Sequence, residues 1–341
     1  MKIKLKFENK LNFKKYLIYK WSVFVVLVLL TSFIFIFNII YTNKTFIWES
    51  FYFQNASFEE VFLLFFYSPI VLLVCGAGLV CSGFSLQSTT RNGLAGPSTL
   101  GIFPLAALGN ILSQLITKSF SNIFIGYVFG IIFSLFALGI NFLFIRISPH
   151  KKTFKPIIFG FSLGAIITAV NILIANFNSS IVASPIQLLG SIGVYNSIER
   201  FYIGTPIVFI STIILLCYAK KIQILDTDHY LAKSLGIDVN KVFWITSTCS
   251  IFIAISTTFL IGGLSLIAIV MPHLVRLLFK RTNYLFQMII AIFLTTFLLE
   301  LLGIIVEFFS KFNIVFLVAT VFAIPMIVLL KWELGWKVNK N

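Results

Sequence analysis

Residues 61–90 read VFLLFFYSPIVLLVCGAGLVCSGFSLQSTT, an uninterrupted run without Asp, Glu, Lys or Arg. A helix of about 20 apolar residues crosses a hydrocarbon core of about 30 Å, so this run can span a bilayer with residues to spare. In lipid each backbone N–H and C=O must be paired inside the segment, which makes the run helical. Charge-free runs of similar kind follow outward at 21–43, 92–117, 119–145, 156–198, 201–219, 242–275, 282–299 and 312–330. The whole chain of 341 residues is 59% hydrophobic and 11% charged, with a mean hydropathy of +1.02. A soluble globule of that size needs more charged surface. The expectation is an all-α polytopic membrane protein.

Trp21–Tyr41, although preceded by lysines, is too long for a signal-peptide core. Asn38-Ile39-Ile40-Tyr41 also lacks a small-x-small cleavage site, so the segment is expected to be a retained span. The net charge of +15 is no nucleic-acid signature, because seven of the 26 Lys and Arg precede Trp21 and nearly all others lie between apolar runs. Cys75, Cys81, Cys217 and Cys249 form no CxxC pair and read as packing residues.

Basic residues flanking spans set orientation. With both termini cytoplasmic, ten transmembrane helices place 22 Lys and Arg inside and only Lys44, Lys118, Arg200 and Lys311 outside. An odd number of spans scrambles that split. The organisation expected is a basic cytoplasmic N-terminus at 1–20, a ten-span domain at 21–331 and a cytoplasmic tail at 332–341. Two runs need breaking to fit. After Asn178 the 156–198 run should form a short outer or re-entrant segment around Pro185, and 242–275 should be a hairpin broken at Gly262-Gly263.

Three segments stand out from apolar filler. The first is Gly76–Gly101, with small residues suited to close helix contact and a polar run from Gln87 to Asn92 that cannot face acyl chains cheaply. The second is Asp226–Asp238, a polar insert on the inner side in which Asp226 or Thr227 can start a short helix and Gly236 can end it. Such a helix suits docking of a soluble partner, although a solvated linker has the same composition. The third is Ser265–Arg276, where Pro272-His273 interrupts an apolar helix near its inner end.

These segments together resemble the permeases of ABC importers for iron-siderophores, heme and cobalamin, the FecCD type. The first is similar to the family's G-A-x-L-x-x-S-G-x-x-x-Q-x-x-x-x-N-P-L-A-x-P-x-x-L-G pattern without a gap, through Gly83, Gln87, Asn92, Pro97 and Gly101. The insert resembles its A-x-S-L-G coupling segment at Ala232, Ser234, Leu235 and Gly236, and the third its V-P-H-x-x-R-L motif at Pro272, His273 and Arg276. Leu188-Leu189-Gly190-Ser191 and Ala323-Ile324-Pro325 resemble two further family motifs.

The resemblance implies a multi-pass cell-membrane subunit that pairs with an identical or paralogous permease, and a separate pair of ATPase subunits. It also implies a substrate-binding lipoprotein outside and an iron chelate, most simply a ferric siderophore, as cargo. This chain has no GxxxxGK[ST] loop with which to bind ATP, so it is expected to be a transport subunit and not an enzyme. By resemblance, Asp228 to Gly236 would dock in the ATPase. The fifth span would line the path with Gly160, Ser162, Gly164 and Asn171, and Asn92, Thr153 and Phe154 would form the inner gate. No cofactor or nucleic-acid partner is implied.

The chain departs from the family in three places. It lacks the R-x-P-R ahead of span two (Tyr67-Ser68-Pro69-Ile70 stands there), Glu300 is followed four positions later by Ile304 and not arginine, and Gly93 and Gly96 replace the usual Pro and acid. The first two departures remove outer-face arginines that pair with the delivery lipoprotein. The metal-site option is weak, because His150, His229 and His273 lie on separate inner segments with no carboxylate at ligand spacing. The rival class is an ion-coupled secondary transporter, for which Glu300 is the one candidate acid; Glu307 lies beside the same span. An intramembrane enzyme would need converging His and acid residues, and none converge here.

Overall fold

The computed structural model describes residues 2–41, 62, 66–117, 123–147, 155–177, 198–264, 266–279, 282–308 and 321. Among them every regular element is an α-helix: α1 Lys2–Tyr41, α2 Tyr67–Thr90, α3 Ile102–Thr117, α4 Ile123–Ile147, α5 Lys155–Phe177, α6 Ile198–Cys217, α7 Ala219–Thr227, α8 His229–Ser234, α9 Val239–Leu260, α10 Ile267–Leu278 and α11 Tyr284–Phe308. Six are long and apolar enough to cross a membrane, over 20–40, 67–90, 124–143, 198–217, 239–260 and 284–305. Shorter apolar helices cover 102–116, 158–174 and 267–278. Over the described residues the chain is thus all-helical and polytopic. Apart from residue 321, the expected tenth span at 312–331 lies outside the described residues, as do the segment around Pro185 and the tail.

The bundle is organised around α2. About four fifths of its membrane window, 78%, is buried inside the protein. It packs on α6, α9, α10 and α11, and also meets α7. Glycines let this happen: a side chain at Gly76 would meet Leu299 of α11, at Gly78 Val208 of α6, and at Gly83 the Ala268 backbone of α10. Small residues allow such approach where helices associate by packing and not by hydrophobic expulsion from water. A second group, α3, α4 and α5, packs against itself and joins the first through α9. By contrast α1 is peripheral, with 17% of its apolar span buried and Val25, Leu29, Phe33 and Ile36 exposed.

The expected break in the 242–275 run falls between α9 and α10, where Gly262 adopts a left-handed φ of 82°. The second half is short: α10 has 12 residues, about 18 Å at 1.5 Å per residue, less than a full crossing. Elsewhere, Asp238 caps α9 by accepting from the Asn240 and Lys241 N–H groups at 3.0 and 3.1 Å. One end of the bundle collects the beginning of α11, the ends of α2 and α10, and α7–α8. Lys20 joins them, its ammonium 3.8 Å from the Phe286 ring centroid.

Candidate functional site

At that end Pro272 removes an N–H from the α10 ladder and leaves the Ala268 carbonyl without its usual donor. Gln87 of α2 fills the gap: its Nε2 donates to Ile269 O at 3.0 Å and lies 3.5 Å from Ala268 O. The other end of the same amide, Oε1, accepts from Arg276 Nη1 at 3.4 Å. Arg276 Nη2 donates to Ser88 Oγ at 3.0 Å and to Tyr284 Oη at 3.4 Å, and its guanidinium stands 5.1 Å from the Phe84 ring centroid. Tyr284 closes the cluster by donating to Phe84 O at 2.8 Å while its oxygen lies 2.7 Å from Ser88 Oγ. Three helices, α2, α10 and α11, are thereby pinned through one glutamine and one arginine.

The loop after α2 is as tightly bonded. Arg91 turns the chain in the left-handed region at φ 54°. Asn92 is buried, and its Oδ1 accepts from the Leu94 N–H at 3.1 Å. Thr99 Oγ1 accepts from the Gly96 N–H at 2.9 Å and donates to Leu94 O at 2.8 Å. His273 Nε2 sits 2.7 Å from Gly93 O, and its ring occupies the space a Cβ at 93 would need. Of the other expected gate residues, Thr153 and Phe154 lie outside the described residues.

The insert forms α7 and α8. Ile222 and Leu225 anchor α7 inward and Ala232 anchors α8, all three buried. Asp228 is the cap, its Oδ1 accepting from the Tyr230 N–H at 2.8 Å. Ser234, Leu235 and Gly236 are exposed, as are Tyr230 and Leu231. Gly236 ends the helix at φ 74° with open space around it.

The expected path residues separate. Gly160 and Gly164 are buried against the turn that starts α3, where a Cβ at 160 would meet the Thr99 and Leu100 backbone and one at 164 would touch Pro104. Asn171 is buried too, its Nδ2 donating to Pro104 O at 3.0 Å. Of the four, Ser162 alone is on the open face of α5, beside Phe161 (66% exposed) and Ile166 (62% exposed).

Residues 23–332 match the FecCD transport family. The chain belongs to that family. Among curated relatives, the heme-iron transport system permease protein IsdF of Staphylococcus aureus (strain Newman) is 24% identical over 225 residues, covering 65% of this chain. The same match recurs in strain Mu50. The chain spans 66% of the length of these relatives. A solved structure described as an inward-facing metal-chelate type ABC transporter superposes with a TM-score of 0.71 at 20% identity, over 91% of this chain and 99% of that one. PsaBC from Streptococcus pneumoniae in complex with Fab matches with a TM-score of 0.52 at 16% identity, over 75% and 89% respectively. Both structural likenesses are of fold.

Within this FecCD-family chain, sequence reasoning missed several members of the inner cluster. Ser88 lay inside the polar run that was singled out, whereas Tyr284 carried no signal of its own, being one aromatic among many. Arg200, counted outside by charge placement, is 5% exposed, and its Nη1 donates to Phe259 O at 3.2 Å near the C-terminal end of α9. Glu300 is fully buried and accepts from Asn38 Nδ2, tying α11 to the C-terminal half of peripheral α1.

Proposed function

We propose that this chain is the membrane-spanning permease subunit of an ABC importer, carrying an iron chelate, with a ferric siderophore as first candidate, into the cell. It works as ten transmembrane helices with both termini cytoplasmic, paired with an identical or paralogous permease. A separate pair of ATPase subunits supplies energy, and a substrate-binding lipoprotein delivers cargo from outside. Membership of the FecCD family, a relative named for heme-iron transport and a fold neighbour named for metal chelates all support this assignment.

The observation that carries it is α8. A six-residue helix at the inner end exposes Tyr230 (61%), Leu231 (47%) and Leu235 (59%), while buried Ala232 and the α7 side chains Ile222 and Leu225 fasten it to the bundle. Exposed apolar side chains on a firmly anchored cytoplasmic helix suit a groove in a soluble motor. Closure of that motor would move α7–α8 and, through α2 and α11, rock the packed helices between two states. The path would run beside the open face of α5 that carries Ser162, with Asn92 at the inner gate.

The test is co-expression with the candidate ATPase and recovery of the complex, comparing wild type with Leu235→Asp and Gly236→Arg. Fully burying one leucine is worth about 1.5–3 kcal/mol, so Leu235→Asp is expected to cut ATPase retention by an order of magnitude or more while membrane insertion is unchanged. Absence of ATPase from the wild-type preparation under all conditions would sink the assignment and turn attention to Glu300 and ion-coupled transport.

A further inference from the structure

We propose that His273 is a positioning residue that ties the loop of residues 91–101 to α10, so that the inner gate moves with the cytoplasmic end of the bundle. The inference rests on the importer assignment above and adds to it the physical route from coupling segment to gate.

The route consists of contacts already described. Segment α7 packs on α2 and α11. Those two helices and α10 are pinned by Gln87, Ser88, Tyr284 and Arg276, at distances of 2.7–3.4 Å. A turn before Arg276 on the same helix, His273 reaches Gly93 O at 2.7 Å. Because Pro272 precedes it and Gln87 holds the carbonyls of 268 and 269, this stretch of α10 is held by side chains as well as by its own ladder.

The loop can transmit what it receives. Thr99 bonds Leu94 and Gly96, Asn92 bonds Leu94, and Ile102 N donates to Pro97 O at 2.9 Å, so that most of the segment is cross-braced. At its far end Gly101, at φ 77°, lies against the Gly160 carbonyl, and the Thr99 and Leu100 backbone abuts Gly160 of α5. Asn141 Nδ2 of α4 reaches Leu100 O at 3.4 Å. One end of the brace is thus held by a histidine on α10, and the other bears on the helix that presents Ser162. Gly93 matters at the histidine end: a Cβ there would stand 2.6 Å from the imidazole Cε1 and Nε2.

The experiment uses the whole transporter, with ATPase and delivery protein, reconstituted in proteoliposomes. Chelate uptake and ATP hydrolysis are measured together for His273→Ala, His273→Gln and Gly93→Ala. His273→Gln keeps a side-chain group able to pair with the Gly93 carbonyl, whereas Gly93→Ala pushes the ring away with His273 itself intact. The expected result is unchanged ATPase retention and hydrolysis, with chelate moved per ATP falling about tenfold in His273→Ala and Gly93→Ala and recovering to within about twofold in His273→Gln. Wild-type stoichiometry in both of the first two variants overturns the inference. So does a parallel loss of uptake, hydrolysis and thermal stability, which marks a merely structural contact. Failure of the wild-type complex to hydrolyse ATP or take up chelate counts against the importer assignment instead.

Discussion

Gln87 Nε2 donates to the main-chain oxygen of Ile269, 182 positions away, at 3.0 Å. Pro272 cannot donate to Ala268 O, and the same Nε2 lies 3.5 Å from that carbonyl, so the polar backbone opened by the proline is served from the neighbouring helix. Interhelical hydrogen bonds in membrane proteins are worth about 0.6 kcal/mol on average and at most about 1.7 kcal/mol. Gln87→Leu removes the donor to α10 and the acceptor for Arg276, and is expected to destabilise by about 1–3 kcal/mol through the groups left unpaired. Gln87→Asn, one methylene shorter, should fall nearly as far. The check is the detergent-solubilised melting temperature, and a melting temperature equal to wild type for both variants would count against the clamp.

Gly83→Ala should be worse than its size suggests. The Ala268 backbone leaves no room for a Cβ at 83, and the obstacle is a main-chain carbonyl and not a flexible side-chain tip. Overpacking of this kind costs about 1–3 kcal/mol, occasionally more. Relief requires α2 and α10 to separate, which also stretches the Gln87–Ile269 bond. A double-mutant cycle of Gly83→Ala with Gln87→Leu should therefore show strong non-additivity, the second change costing less once the first is present. Additive losses would mean that the helices stay in register.

The helical, membrane-embedded nature of the chain was legible because bilayer thickness and backbone pairing leave few options for charge-free runs of this length. The motifs at Gly83, Gln87, Pro272 and Arg276 could likewise be singled out, yet not that they meet, since they lie on different helices far apart in sequence. The α5 glycines show a real ambiguity. A smooth path wall and a close helix contact both demand small residues, and Gly160 packs against the Thr99 and Leu100 backbone, a contact that residue type alone does not announce. Charge placement also cannot report burial, so counting Arg200 among the outer cations gave no sign that it is buried.

Burial of Arg200 argues against a role for it in docking the proposed delivery lipoprotein. Arg200 Nη1 donates to a carbonyl near the C-terminal end of α9, where a cation is favoured by the helix dipole, typically by about 0.3–1 kcal/mol and up to about 2 kcal/mol when partly buried. Arg200→Met, which keeps the stem's bulk, is predicted to lower thermal stability by about 1–2 kcal/mol. It should leave affinity for the lipoprotein unchanged, as measured by surface plasmon resonance on nanodisc-embedded transporter. A fivefold or greater loss of affinity with stability preserved would place Arg200 on the docking surface.

Asp228 offers the finest test of the coupling segment. Helix α8 has only six residues, too few to persist alone, and in its first turn the N–H of Tyr230 is satisfied by the Asp228 carboxylate at 2.8 Å. Replacing such a cap with alanine costs about 0.5–2 kcal/mol, whereas asparagine caps about as well as aspartate. If the ordered helix is what the ATPase grips, Asp228→Ala should weaken ATPase association about fivefold for each kcal/mol lost, and Asp228→Asn should leave it near wild type. The measurement is the dissociation constant of the ATPase for permease in nanodiscs. Equal losses in Asn and Ala variants would place the carboxylate's charge itself in the interface. No loss in either would separate α8 order from docking, and would leave the exposed side chains Tyr230, Leu231 and Leu235 to carry the contact without a preformed helix.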